Sequence, residues 1–319
     1  MDQLKIFSGS ANRPLAEAIA RYLKKPLGEV LLTRFPDGES FVKINEDVRG
    51  RDIFVIQPTC SPQNDNLMEL LLFIDAAHRA SADRITAVIP YYGYARQDRK
   101  DEGRVPISAK LVADMLQAAG VDRVVTVHLH AHQVQGFFNI PVDHLLPEPV
   151  FVKHFSAMHL PNLTVVSPDV GNVKTARRYA EHLNGDLAII DKERVSGTEV
   201  RAGAVIGNVK GRTVLMVDDM ITSAGTITKA AALLETVGAG DIYVAATHAV
   251  MCENAVTRIC EAPIKSVVVT DTIPLCPEAR KLRNLTQLSL APLLGEAIKR
   301  IHLHQSVSEL FLRKAKRQP

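Results

Sequence analysis

The sequence predicts an α/β protein made of two tandem domains, each a mainly parallel sheet flanked by helices. Short runs rich in Val, Ile and Leu alternate with apolar spacings of three and four along the chain, as in strand–helix–strand units. The chain has 319 residues, which suits two domains of about 150. A Pro-rich passage at 141–149 separates two such series. We expect domains at 1–148 and 149–301, with 302–319 joining the first.

Composition excludes several classes of protein. Apolar residues make up 46% and charged residues 23% of the chain, as in an ordinary protein with sizeable cores. A net charge of +3 is too small to indicate a nucleic-acid partner, and no apolar run approaches the roughly 18 residues of a membrane span. The cysteines Cys60, Cys252, Cys260 and Cys276 show no CxxC spacing. We therefore expect reduced thiols and a cytoplasmic location.

The first half contains a regular series of predicted elements. Asn12 is a plausible N-cap for the first helix, with Pro14 in its first turn. The turn sequence Pro36-Asp37-Gly38 joins two strands. The predicted strands are 4–7, 30–35, 41–44, 52–57, 85–90 and 124–129, and further helices cover 67–74 and 106–119.

A loop rich in tyrosine and basic residues follows the strand at 85–90. Residues 91–101 contain three tyrosines together with Arg96, Arg99 and Lys100. Aromatic faces beside arginine suit a purine ring and its phosphates. An ordinary exposed loop is the alternative interpretation.

Three histidines alternate at the end of the strand predicted at 124–129. If that strand continues, His128, His130 and His132 point to one face. Such a group could bind a metal or a phosphate. The alternative is a polar strand end that makes only local hydrogen bonds.

The second half repeats the same rhythm of strands and helices. Residues 191–198, after the strand at 187–190, are polar and include Gly197, which is typical of a mobile lid. The predicted strands are 163–166, 187–190, 213–217, 242–247, 267–270 and 285–290, and the helices are 173–183, 227–237, 252–260 and one from 294 onward.

The segment 211–237 carries the strongest functional signal. An apolar strand, 213–217, is followed by Asp218 and Asp219, and then by the small hydroxylated loop 222–226 before a helix. The N-terminus of a helix attracts anions, and a loop of small residues lets a phosphate approach the backbone. The two carboxylates can accept hydrogen bonds from a vicinal diol or hold a metal through water. Together they predict a ribose 5-phosphate site; an ordinary strand-to-helix connection is the alternative.

These motifs resemble those of one known family. The stretch 217–226, Val-Asp-Asp-Met-Ile-Thr-Ser-Ala-Gly-Thr, is similar to the phosphoribosyl-pyrophosphate-binding motif of the type I phosphoribosyltransferase fold. With the segments 35–39, 94–98 and 130–138, Asp169 and Lys192-Glu193-Arg194, the chain resembles the ribose-phosphate pyrophosphokinase family. That resemblance implies two tandem type I phosphoribosyltransferase domains.

The resemblance also implies an activity and a set of site residues. Members move the diphosphoryl group of ATP to the 1-hydroxyl of ribose 5-phosphate for nucleotide biosynthesis, with Mg²⁺ (or Mn²⁺), as homohexamers in which segment 35–39 comes from a neighbouring subunit. The implied ATP contacts are Phe35, Asp37, Gly38, Glu39, Arg96 and Gln97. The implied ribose 5-phosphate contacts are Asp218, Asp219, Thr222, Ser223, Ala224, Gly225 and Thr226. The implied metal ligands are His130 and Asp169, and the implied catalytic residues are Lys192 and Arg194.

The sequence also departs from the family pattern. His128 and Asn139 stand where the family usually has aspartate, His132 replaces a smaller residue, and Thr222 replaces a common aspartate. Loss of a carboxylate weakens affinity for Mg²⁺, whereas imidazole suits softer ions. Two alternatives follow: a non-catalytic regulatory subunit of such a synthase, or a phosphoribosyltransferase acting on a base. The chain lacks GxxxxGK[ST], so it is not a P-loop kinase.

Overall fold

The fold is taken from a computed structural model that describes residues 3–194 and 200–310. Side chains at 192–194 and 200–203 lie outside that description. The chain divides into two units. Within the described residues, unit 1 comprises 3–146, 272–274 and 289–310, and unit 2 comprises 147–194, 200–271 and 275–288. Over the described residues, no helix is both long and apolar enough to cross a membrane.

Unit 1 is organised on a five-stranded, fully parallel sheet in the order β1-β4-β5-β6-β7. The central strands are buried on both faces, as parallel sheets covered by helices are. The strands are β1 (Leu4–Ser8), β4 (Asp52–Ile56), β5 (Arg84–Ile89), β6 (Arg123–Val127) and β7 (Val142–Leu145). The helices are α1 (Arg13–Leu23), α2 (Gln63–Arg79), α3 (Ser108–Ala119) and α8 (Ala291–His302).

α1 begins at a side-chain cap and packs against α8 in unit 1. The side chain of Asn12 accepts a hydrogen bond from the Leu15 N–H at 3.3 Å, so the predicted N-cap is present. On its other side α1 packs against α8, where the Tyr22 hydroxyl donates to Glu296 at 3.1 Å and the Tyr22 ring lies against Gly295. The last long helix of the described chain therefore closes the unit that the first helix opens.

A separate antiparallel hairpin, β2 (Val30–Arg34) with β3 (Ser40–Ile44), extends from unit 1. Its turn closes through the Phe35 N–H, which donates to the Glu39 carbonyl at 2.9 Å. Gly38 has φ +96°, a left-handed value that glycine adopts without strain. The hairpin packs on α2.

Unit 2 is organised on a seven-stranded sheet in the order β10-β9-β8-β11-β12-β13-β14. All neighbouring pairs are parallel except β9 and β10. The strands are β8 (Leu163–Ser167), β9 (Asp186–Arg194), β10 (Val200–Ile206), β11 (Thr213–Ile221), β12 (Ile242–Ala249), β13 (Ser266–Thr270) and β14 (Leu285–Leu288). The helices are α4 (Glu148–Ala157), α5 (Val173–Leu183), α6 (Gly225–Thr236) and α7 (Ala255–Glu261).

Some elements differ from those that the sequence predicts. β7 lies inside the Pro-rich passage at 141–149, and β10 was not expected. β9 continues to Arg194 instead of ending at residue 190, because its last residues pair with β10. The sequence placed residues up to 301 with the second domain, whereas α8 belongs to unit 1 through its packing on α1.

Candidate active site

The predicted phosphate loop, residues 222–226, connects β11 to α6. β11 runs four residues further than expected, so Asp218 and Asp219 lie on the strand and not after it. Ala224, with φ +61°, occupies the N-cap position of α6 without a side-chain cap. Among the described residues, no acceptor is present for the N–H groups of Gly225, Thr226 and Ile227. Free N–H groups at a helix N-terminus are suited to an anion.

Asp218 and Asp219, the acid pair, lie beside this loop, and each carboxylate acts on the other. Removal of the Asp218 carboxyl from water raises its pKa to about 8, and the negative charges of Asp219 and then Asp169 contribute to the rise. The Asp219 N–H donates to Asp218 Oδ1 at 2.9 Å and opposes that rise. The structure thus brings together Asp218 and Asp219, predicted to contact the sugar, with Asp169, predicted as a metal ligand.

Asp169 is positioned by a short network at the end of β8. Its Oδ1 accepts from the Asn172 N–H at 3.1 Å, and the Asn172 side chain donates to the Val217 carbonyl at 2.7 Å. Asn172 therefore connects Asp169 to β11 just before the acid pair. No sequence pattern predicts this role, because an Asn near a helix start is normally a cap.

The tyrosine-rich loop of unit 1 differs from the prediction in which side chains it exposes. Tyr91 and Tyr92 are buried in the core, and the Tyr92 hydroxyl donates to the Ala109 carbonyl at 3.1 Å. Only Tyr94 is half-exposed, while Arg96 and Gln97 are exposed. A purine could therefore meet Tyr94, Arg96 and Gln97, but not all three tyrosines.

Both predicted ATP segments of unit 1 attach to the first turn of α2. The Tyr94 hydroxyl donates to the side chain of Asn64. Arg34, which precedes the turn at 35–39, pairs with Asp65 at 3.3 Å. The adjacent residues Asn64 and Asp65 therefore hold the two segments at one end of the same helix.

The histidine segment does not have the predicted strand geometry. β6 ends at Val127, and His128 takes a left-handed φ of +43°, so the alternation on one face is wrong. His128 is buried, whereas His130 and His132 are exposed. The next residue, Gln133, donates to Asp98 at 2.5 Å, which brings the His130 segment against the Tyr94–Asp98 loop within unit 1.

His144 on β7 is a contact that the sequence reasoning missed. Its Nε2 accepts from the Leu129 N–H at 2.8 Å, and its ring meets the His132 ring edge to face at 4.9 Å. Nε2 is therefore the acceptor in this contact, and the Gln135 side-chain nitrogen lies 3.3 Å from Nδ1. The imidazole is a possible signal for such a contact, but the prolines around it are typical of a domain boundary.

Within the described part of the chain, no group of three or more His, Cys, Asp and Glu side chains is arranged to hold a metal ion by itself. Mg²⁺ usually takes one or two carboxylates and completes its shell with water and substrate phosphates. Asp169 and the acid pair carry carboxylate oxygens, which are the kind of ligand that Mg²⁺ prefers. His130 is exposed.

The predicted catalytic residues lie on β9. Lys192 pairs with Ala202 across the sheet, and Arg194 pairs with Val200. This replaces the expected loop geometry for 191–194 with a strand. The side chains of Lys192 and Arg194, and all of 195–199, fall outside the described residues, so their proposed role stays a prediction.

Comparisons with known proteins agree on one family. The model of the N-terminal domain of ribose phosphate pyrophosphokinase matches residues 4–120, and that of the phosphoribosyl synthetase-associated domain matches residues 199–312. The chain is 57% identical to the ribose-phosphate pyrophosphokinase of Rhodopirellula baltica, over 98% of this chain and 99% of that protein. It is 54% identical to that of Caldanaerobacter subterraneus, over 97% and 98%.

A solved structure supports the same relationship. The crystal structure of phosphoribosylpyrophosphate synthetase from Mycobacterium smegmatis superposes with a TM-score of 0.90 at 43% identity, covering 95% of this chain and 99% of that one. The resemblance inferred from the motifs, and the fold that it implied, are therefore confirmed.

Proposed function

Because this chain belongs to the ribose-phosphate pyrophosphokinase family, we propose that it makes phosphoribosyl pyrophosphate for nucleotide biosynthesis. It is an enzyme that transfers the diphosphoryl group of ATP to the 1-hydroxyl of ribose 5-phosphate and releases AMP. The observation that carries the assignment of substrates to residues is the loop at 222–226, where free N–H groups lie beside the acid pair.

Unit 2 binds ribose 5-phosphate in this proposal. The phosphate accepts hydrogen bonds from the N–H groups at the start of α6 and from the hydroxyls of Thr222, Ser223 and Thr226. Asp218 and Asp219 accept hydrogen bonds from the ribose hydroxyls. The raised pKa of Asp218 supports this role, because a desolvated carboxyl gains most from a hydrogen-bonding partner.

Unit 1 binds ATP in this proposal. Arg96 and Gln97 are exposed beside the half-buried ring of Tyr94, and together they can contact an adenine and its phosphates. The turn residues Phe35, Asp37, Gly38 and Glu39 contact ATP held by a neighbouring copy. Phe35 is 49% exposed, which supports its burial against another subunit.

The chemical step is a displacement at the β-phosphorus of ATP. The 1-hydroxyl oxygen forms the new P–O bond and releases its proton to solvent water, while the bond between the β-phosphorus and the bridging oxygen breaks and that oxygen leaves with AMP. Negative charge grows on the leaving and non-bridging oxygens, so the protein acts by positioning the groups and by supplying positive charge. We assign that charge to Lys192 and Arg194.

We assign metal contact to His130 and Asp169. A bound Mg²⁺ or Mn²⁺ would neutralise charge on the transferred phosphates. His128 and Asn139 reduce the number of carboxylates in the His130 segment, so Mn²⁺ should replace Mg²⁺ more readily than in a carboxylate-rich site.

Identical chains assemble as a hexamer in this proposal, and light scattering of the purified protein tests it. We also infer a cytoplasmic location, because Cys60, Cys252, Cys260 and Cys276 are free thiols. We expect no nucleic acid or membrane as a partner.

One assay tests the activity. Pure protein is mixed with ATP labelled in its γ-phosphate, ribose 5-phosphate, and Mg²⁺ or Mn²⁺, and the nucleotide product is separated. AMP formation with label in the sugar product supports the proposal. ADP formation would contradict diphosphoryl transfer.

The regulatory-subunit alternative is supported only by His128 and Asn139, and the same assay tests it. A regulatory chain is silent alone yet changes the rate of an active family member added to the mixture. The phosphoribosyltransferase alternative is not favoured, since both matching family models describe the synthase.

A further inference from the structure

The carbonyl groups that lead into the phosphate loop are all held on one side. The Met251 N–H donates to the Ile221 carbonyl at 2.9 Å, and the Cys252 N–H donates to the Thr222 carbonyl at 3.1 Å. Arg258 Nη1, on α7, donates to the Ser223 carbonyl at 2.8 Å. We call these three donors the carbonyl clamp.

The clamp determines where the loop N–H groups point. In a trans peptide the C=O and the N–H point in opposite directions. Fixing the carbonyls of Ile221, Thr222 and Ser223 therefore turns the N–H groups of Thr222, Ser223 and Ala224 to the side away from α7. An anion on that side meets donors, whereas a rotated peptide would present it with a carbonyl oxygen.

The segment that supplies the clamp is itself strained. Met251 has φ +44° and Glu253 has φ +53°, both in the left-handed region that residues other than glycine rarely occupy. Such strain persists only where surrounding contacts enforce it, and it clusters at functional sites. The connection between β12 and α7 is thus bent so that two successive N–H groups face the phosphate loop.

Arg258 is the one side-chain donor of the clamp, and its charge is not neutralised. No carboxylate in the described ranges pairs with it, although Arg84, Arg123 and Arg212 each have an Asp partner. A Cβ placed on Gly225 would lie 3.8 Å from Arg258 Nη1. The guanidinium therefore lies beside the first residue of α6.

We propose that Arg258 is a positioning residue for ribose 5-phosphate: by holding the Ser223 carbonyl it keeps the loop N–H groups turned toward the sugar phosphate. This inference rests on the proposed function of the same loop. Arg258 acts through the backbone and need not touch the substrate itself.

The test compares Arg258→Met, Arg258→Gln and a matched control, Arg212→Met, in the full chain. Arg212 also donates to a backbone carbonyl, that of Asn162 at 3.3 Å. Arg212 lies just before the first residue of β11, whereas the loop follows its last residue. At about 3.3 Å per residue of strand, the two are roughly 30 Å apart. A charged donor on a carbonyl contributes enough that its loss changes an equilibrium constant by about 10- to 100-fold.

We expect Arg258→Met to raise KM for ribose 5-phosphate by about that factor, with kcat and KM for ATP within about twofold of the unsubstituted protein. Calorimetry without ATP should show the same weakening of ribose 5-phosphate binding. Arg258→Gln keeps a hydrogen-bond donor, so its KM for ribose 5-phosphate should fall between those of the unsubstituted protein and Arg258→Met. Arg212→Met should leave KM for ribose 5-phosphate unchanged even where it lowers the melting temperature.

Three results would overturn the inference. They are an unchanged KM for ribose 5-phosphate in Arg258→Met, an equal rise in KM for ATP, or an Arg258→Gln as impaired as Arg258→Met. Each of these results counts against the inference when the unsubstituted chain itself binds ribose 5-phosphate and forms AMP. An unsubstituted chain that neither binds ribose 5-phosphate nor forms AMP would instead refute the proposed function.

Discussion

Replacing Gly93 with alanine should displace the loop proposed to bind ATP. A Cβ on Gly93 would lie 2.5 Å from the Thr59 carbonyl oxygen and 3.1 Å from its hydroxyl. The Gly93 N–H donates to that same hydroxyl at 2.7 Å. Since carbon and oxygen normally stay about 3.3 Å apart, the two segments must separate by roughly 0.8 Å.

The loss of folding stability in Gly93→Ala has two parts. Overpacking of this kind destabilises by about 1–3 kcal/mol, and weakening the hydrogen bond adds about 1 kcal/mol. At about 2–4 °C per kcal/mol for a unit of this size, the melting temperature should fall by roughly 5–15 °C. Displacing Arg96 by nearly 1 Å should also lower kcat/KM for ATP by up to about 10²-fold.

Gly103→Ala is the matched control for this experiment. Gly103 follows the same loop in sequence, and a Cβ on Gly103 would have no heavy atom within 4 Å. Thermal unfolding and steady-state kinetics of both variants should separate the clash from the general effect of losing a glycine. A Gly93→Ala protein with the melting temperature and ATP kinetics of Gly103→Ala would refute the reasoning.

Three further predictions concern the other parts of the site. Lys192→Ala should lower turnover by about 10²-fold, as loss of one stabilising donor does, while calorimetry shows ribose 5-phosphate binding intact; lost binding would indicate a structural role. Between pH 3.8 and about 8 native Asp218 holds a proton that the unfolded chain has lost, so the unfolding free energy should fall as pH rises. Asp218→Asn should flatten that dependence in denaturant titrations, and an unchanged slope would exclude Asp218 as its source. His144→Ala leaves the buried Leu129 N–H without its acceptor and should destabilise by about 1–3 kcal/mol, whereas His144→Asn, which keeps an acceptor, should unfold closer to the original temperature.

The strand, loop and helix around residues 222–226 were predictable because their signal is local. A β-branched run, two carboxylates and a helical spacing follow one another within 27 residues at 211–237, so no distant contact is needed to interpret them. The family resemblance rested on equally local motifs. What the local pattern did not determine was the end of β11, which is set by pairing with β12 as far as Ile221.

The histidine segment was mispredicted because its conformation depends on a neighbouring strand. The His128 N–H donates to the Leu145 carbonyl on the β7 side at 2.9 Å, and the backbone turns left-handed there. β7 itself was hidden by the prolines around it. Once β7 was missed, neither the end of β6 nor the contact from His144 to Leu129 could be inferred.

Positioning residues were missed for a similar reason. Arg258 and Ser223 are 35 residues apart in sequence, and His144 and Leu129 are 15 apart. Each side chain acts on a backbone group, and such a contact leaves no pattern of residue types at either end. Side chains that contact a ligand belong to recognisable motifs, whereas side chains that hold the backbone behind them do not.

The packing of α8 on α1 has a consequence for vectorial synthesis on the ribosome. An N-terminal domain usually folds while the rest of the chain is still being made. Here Asp52 contacts the His302 side chain, and Arg84 donates to the Ile301 carbonyl. Both of these partner residues are synthesised after nearly all of unit 2. The nascent first sheet must therefore remain open along the α1 side until translation is almost finished, and a premature stop before residue 291 would leave that side uncovered.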